Sequence, residues 1–282
     1  MAQYQVISDS CSDYTDQEDL SFIRRVPLTI HLDDCLYVDD EKLDCQALVQ
    51  TMAATSSAPK SACPSPGAWE EAFEAADGDI YVVTLSGELS GSYNSAVVAA
   101  QSYVHEHPER RIHVFNSRSA AAGQVLICLK LRELAGGQSL PFEEVVRRTE
   151  EYIGTMSTYF VLETLDVFRK NGRLSRLQSL AVGALRLKMV MRGTQTGYIE
   201  AAAKALSVQQ ALNKMVQIIR ERAGGKPLSD RTLVITYVNC LERAAAVRDS
   251  LMKECGFGRA ILCRGSGIST IYANDGGIIV SY

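Results

Sequence analysis

Hydroxyl side chains and glycines crowd into one stretch, Ser86-Gly87-Glu88-Leu89-Ser90-Gly91-Ser92-Tyr93-Asn94-Ser95-Ala96. Serine hydroxyls can donate to an anion, and the free N–H groups and dipole at a helix start attract negative charge. The same residues also read as an ordinary helix cap by Ser90 or Ser92. A second polar run, Asp9-Ser10-Cys11-Ser12-Asp13, is either a ligand-binding turn or an Asx turn. A third, Lys60 to Gly67, holds Ser61 and Ser65 among prolines that predict a stiff, irregular loop. Asp39, Asp40, Glu41 and Asp44 form an acidic group without EF-hand spacing, and a solvated helix start accounts for it. There is no G-x-S-x-G elbow and no Walker A pattern. Gly265-Ser266-Gly267 supplies half of a dinucleotide fingerprint in the wrong context.

These groups need elements to hold them. Ile80 to Thr84 reads as a buried strand and Tyr93 to Tyr103 as a helix, so the first stretch is a strand-to-helix turn. Tyr4 to Ser8 and Arg111 to Phe115 are further strands, and Arg25 to Leu32 reads as one strand returning through Cys35 to Val38. Helices are predicted over 45–54, 67–76, 120–134 and 142–153. Alternating strands and helices with polar turns predict a mostly parallel sheet. After Gly154 come strand 157–162, short helix 165–169, helix 174–185 and a hairpin of 187–191 with 198–202. Helix 208–222, strand 232–237, helix 241–254, strand 259–263 and an edge or return strand 278–281 follow. The fold class expected is α/β. Residues 1–155 are expected to form an N-terminal domain with a mostly parallel sheet, and residues 156–282 a C-terminal domain with a mixed sheet.

Composition narrows the function. Apolar residues make up 46% and charged residues 22% of the 282, as in a globular protein large enough for a full core. A net charge of −4 without a basic run argues against nucleic acid as a partner. No apolar stretch reaches transmembrane length, and Met1 leads straight into a strand, which predicts a cytoplasmic protein without a signal peptide. Eight scattered cysteines without a CxxC pair fit free thiols, and the four histidines have no metal-site spacing.

The ordered motifs resemble the DegV family of bacterial fatty-acid-binding proteins. Ile7-Ser8-Asp9-Ser10 is similar to the family's "TDSs", Val26-Pro27-Leu28 to "VPL", and Lys60-Ser61-Ala62-Cys63-Pro64-Ser65-Pro66 to "TSqPSp". Ser90-Gly91-Ser92-Tyr93-Asn94-Ser95-Ala96 resembles "SGTYqSA", and Asn116-Ser117 stands for "DS". Lys170 to Ser175 resembles "kGGRis", Lys188-Met189-Val190 "KPi", and Asn274 to Gly277 "HtGpG".

The resemblance implies a long-chain fatty acid clasped between two α/β domains, with no cofactor and no catalysis by this chain. Ser61, Ser90, Gly91 and Asn274 become the implied carboxylate-binding residues. Asp9, Ser10, Cys63, Ser92 and Arg173 stand near the head group. Asn274 replaces a histidine, Cys63 a glutamine and Asn116 an aspartate; asparagine donates a hydrogen bond but cannot exchange a proton. The implied partner is a separate ATP-dependent fatty acid kinase, to which the carboxylate is presented for acyl phosphate formation in phospholipid metabolism. The alternatives are a dihydroxyacetone-kinase-like subunit handling a small metabolite, and a lipid-sensing regulatory binder.

Overall fold

The computed structural model describes residues 3–138, 140–174 and 187–282. The helix expected from Leu174 to Leu185 lies, past Leu174, outside these residues.

The first lobe is built on a parallel sheet of β1 (Tyr4–Asp9), β2 (Ile23–Val26), β6 (Asp79–Thr84) and β7 (Ile112–Asn116), in the order β2-β1-β6-β7. Every residue of β6 is buried, as its unbroken apolar run requires of a central parallel strand. The stretch 25–32 is not one strand. Pro27 has no N–H and interrupts the ladder, so the chain leaves the parallel sheet after Val26. It resumes as β3 (Thr29–Leu32) in a separate antiparallel sheet with β4 (Cys35–Val38) and β5 (Lys60–Ala62). β5 also corrects the irregular-loop expectation. Its three residues lie between Pro59 and Pro64, and Ser61 pairs opposite Ile30.

Helices α1 (Cys45–Ala54), α2 (Pro66–Glu74) and α3 (Ser92–Glu106) fall where periodicity places them. Asp44 caps α1 through the amides of Gln46 and Ala47, and Ser65 caps α2 ahead of Pro66. The long helix expected to Leu134 is α4 (Ala122–Leu131), whose last turns widen into a π-helix over Arg132–Gly137. α5 (Phe142–Thr155) closes this half.

The second lobe is a six-stranded mixed sheet in the order β10-β9-β8-β13-β11-β12. It comprises β8 (Thr158–Val161), β9 (Lys188–Gly193), β10 (Ile199–Ala205), β11 (Thr232–Tyr237), β12 (Arg259–Arg264) and β13 (Ile278–Ser281). Only β11 and β12 run parallel. β13 is central, not an edge: it pairs with β8 on one side and β11 on the other. α6 (Asp166–Lys170), α7 (Val208–Ala223), α8 (Leu241–Cys255) and α9 (Gly267–Ala273) complete the described elements.

The lobes share a core. α4 is buried nearly all round because it packs against β1 and β6 on one side and β11 and β13 on the other. Its apolar cluster runs from Val6 and Tyr81 through Val125 and Ile127 to Val234 and Ile261. The division at residue 155 is therefore proposed as one between sheets, with the apolar core continuous across it.

Candidate functional site

A mostly apolar cleft opens between the lobes, the kind of concave, largely apolar site that small molecules occupy. One wall comes from β8, β9 and the start of β10, with Phe160, Leu162 and Ile199; α6 adds Phe168. The facing wall comes from β5, the turn after β6, and α9, with Ser61, Leu85, Leu89, Ser90, Ile268 and Tyr272. The lining is apolar with few polar groups, which suits a hydrocarbon ligand bearing one polar end.

Ser61 reaches the cavity because Pro59 and Pro64 hold β5 extended against β3. Its Oγ stands 3.2 Å from the Tyr272 hydroxyl on α9. Ser90 lies just before α3, and its Oγ accepts the Ser92 amide at 3.2 Å. Capping and ligand binding are compatible in this residue: a hydroxyl that accepts one N–H keeps its own proton to donate. Arg173 also lines the cavity, donating from Nε to the Leu89 carbonyl at 3.2 Å and from Nη1 to the Asn171 carbonyl. It ties the 171–173 turn to the serine turn. Leu89, Ser90, Arg173, Tyr198 and Ile199 are shared with a more open groove where Gly91, Glu88 and Asn94 stand.

Behind the serine wall lies a layer of buried acids. Asp9 is fully buried and accepts four hydrogen bonds: from the amides of Leu85 (2.8 Å) and Cys11 (3.2 Å), from Ser92 Oγ (2.7 Å) and from Gln124 Nε2 (2.8 Å). It joins the ends of β1 and β6 to α3 and α4. Burial pushes its carboxyl above the ordinary range, and the four donors pull it partly back. Asp13 accepts from the Ser266 amide, Ser269 Oγ and Thr236 Oγ1, and burial raises it too. Asp39, the residue after β4, accepts from Ser10 Oγ and from the amides of Gly267 and Ile268. Its carboxyl is pushed up to about 7, chiefly by burial. The solvated-cluster expectation therefore fails for Asp39, which is 1% exposed. Cys11 reaches the cavity, but burial and the neighbouring Asp9 hold its thiol well above its usual range, so it stays a protonated, weak nucleophile.

The sequence-predicted residues thus separate into three settings. Ser61, Ser90 and Arg173 line the cavity. Asp9, Ser10 and Ser92 are buried behind its wall as scaffold. Gly91 and Cys63 stand outside, so close that a side chain on Gly91 would press on the Cys63 sulfur. Asn274 follows the end of α9, where its Oδ1 accepts the Asp275 amide at 2.7 Å, and it is not among the lining residues. Sequence reasoning missed Tyr272 and the whole of α9. The signal was Gly265-Ser266-Gly267: it follows β12 and opens α9, with Ser266 capping the Ser269 amide. The eight cysteines are free thiols.

The family profile described as "Uncharacterised protein, DegV family" matches residues 3–282. This chain belongs to the DegV family. A DegV domain-containing protein of Streptococcus pneumoniae is 37% identical, over 99% of this chain and 98% of its own. Among solved structures, a DegV protein of Ruminococcus gnavus with vaccenic acid is 41% identical, with a TM-score of 0.93 over 100% of this chain and 99% of that one. The Streptococcus pneumoniae fatty acid kinase B3 protein, loaded with linoleic acid, is 34% identical, with a TM-score of 0.87 over 99% of both chains. Among the described residues, no helix is long and apolar enough to cross a membrane.

Proposed function

We propose that this DegV chain binds a long-chain fatty acid, its tail in the cavity between the lobes and its carboxylate at Ser61 and Ser90. The observation that carries this reading is a mostly apolar cavity whose lining includes the Ser61 and Ser90 hydroxyls, in a chain 41% identical to a protein solved with vaccenic acid. Burying the tail contributes about 0.8 kcal/mol per CH₂. An unpaired buried carboxylate costs several kcal/mol, which the two hydroxyls and the α3 N-terminus offset.

Likeness to a fatty acid kinase B3 protein supports the finer reading. The acid is presented to a separate ATP-dependent kinase for acyl phosphate formation, and this chain performs no catalysis itself. Asn274, where the family carries histidine, is expected to take no part in proton transfer.

Native mass spectrometry of the purified protein, followed by extraction, tests the binding reading. The expected result is one long-chain acid per chain, with affinity weakened roughly tenfold or more in Ser61→Ala/Ser90→Ala, since hydrogen bonds to charged groups contribute ~1.5–3 kcal/mol. A protein that carries no acid and ignores added acids overturns it and favours a small-metabolite subunit. Acid binding that never supports acyl phosphate formation with an added kinase removes the presenting role and leaves a lipid sensor.

A further inference from the structure

α9 has seven residues, too few turns to hold itself as a helix. Its first amides are nonetheless all engaged. Ser266 N–H donates to Asp13 at 2.9 Å, and Gly267 and Ile268 N–H donate to Asp39 at 2.6 and 3.1 Å. Ser269 N–H donates to Ser266 Oγ, and the Ser269 hydroxyl to Asp13. The approach is close enough that a Cβ on Gly267 would collide with Asp39 Oδ1, Leu43 and Ile30. Asp39 also closes the β4 end of the small antiparallel sheet, its own N–H donating to the Leu28 carbonyl.

That sheet meets α9 a second time. Four residues beyond Ile268, about 6 Å along the helix, Tyr272 Oη stands 3.2 Å from Ser61 Oγ on β5. Between the two contacts, Leu28 and Ile30 pack in one apolar cluster with Ile268 and Ile271. The sheet and the helix are thus clamped at both ends, and the distal clamp is the hydroxyl pair facing the cavity.

We infer that Asp13 and Asp39 are positioning residues for the lipid site: they anchor α9 so that Tyr272 holds the Ser61 hydroxyl where a carboxylate is received. The role of Ser61 in this inference rests on the proposed fatty-acid reading; the anchoring of α9 does not.

The test is a double-mutant cycle between Asp39→Asn and Tyr272→Phe, read as affinity for an 18-carbon fatty acid and for the alcohol of the same length. Asp39→Asn keeps the side-chain volume but loses one acceptor. It is expected to weaken acid binding about tenfold and alcohol binding much less. Tyr272→Phe on that background adds little, because coupled residues are not additive. Independent, additive effects, or equal losses for acid and alcohol, overturn the inference. Amide hydrogen exchange on the same proteins reads the anchor directly, with faster exchange expected at Gly267 and Ile268 in Asp39→Asn. If the wild type binds neither ligand, the fatty-acid reading fails alone; unaltered exchange in Asp39→Asn then defeats the anchor as well. Should Asp39→Asn not fold, Ser10→Ala, which removes one donor to the same carboxylate, carries both measurements with smaller changes expected.

Discussion

The wall of β8, β9 and β10 carries Phe160, Leu162 and Ile199 and is held by ladder hydrogen bonds and apolar contacts. The wall of β5, the serine turn and α9 is held from behind by Asp9, Asp13 and Asp39, each buried and each satisfied mainly by amides and hydroxyls. Packed apolar side chains tolerate exchanges of similar volume. A buried carboxylate does not tolerate loss of its geometry, because every donor aimed at it is left unpaired. On the proposed reading, the first wall meets hydrocarbon tails of varied shape and the second a head group that is always the same. A half-buried acid at the surface of the same chain behaves differently again. Glu144, beside Arg147 and Arg148, is drawn down to about 2 by their hydrogen bonds, whereas Asp39 is pushed to about 7.

The largest effect is expected at Asp9. Asp9→Ala strands the amides of Leu85 and Cys11 with Ser92 and Gln124, at ~1–3 kcal/mol for each unsatisfied group. Urea denaturation is expected to register a loss of about 4 kcal/mol or more; a loss under 1 kcal/mol would remove the distinction between the walls.

An intermediate effect concerns pH. The Asp39 carboxyl titrates at about 7 in the fold, against 3.8 as its ordinary value. The folded state therefore holds this proton more tightly than the unfolded chain. The stability it contributes is present below about pH 4 and is lost as pH rises toward 7, by roughly 2–4 kcal/mol. Urea midpoints at pH 4.5 and 7 are expected to fall more for the wild type than for Asp39→Asn. Parallel curves would mean that this group does not titrate in that window.

The smallest effect is expected on the apolar wall. Phe160→Leu should cost under about 1.5 kcal/mol of stability and shift the preference among acyl lengths while leaving the choice of acid over alcohol unchanged. A change in that choice would show that the walls do not divide the work as described.

Much of this molecule was legible from local pattern. The long apolar periods of α3, α7 and α8, the buried run of β6 and the hairpin of β9 with β10 are each encoded within a few residues. Ser61 and Ser90 were found through their motifs, and they line the cavity. What escaped depends on partners far away in the chain. Val26-Pro27-Leu28 looks like continuous alternation until its two halves join different sheets. Ile278 to Ser281 is too short to declare itself central until β8 and β11 flank it.

The sequence by itself determined an α/β chain with hydroxyl-bearing turns and the family to which those turns belong, because short-range periodicity and contiguous motifs carry that information. Only the tertiary structure decided that Asp39, an acid in an acidic run, is buried and accepts the amides of a helix 228 residues away. The same holds for Tyr272 meeting Ser61 across 211 residues. Burial and hydrogen-bond partnership are properties of contacts between distant segments, and no window of the chain contains both sides of them.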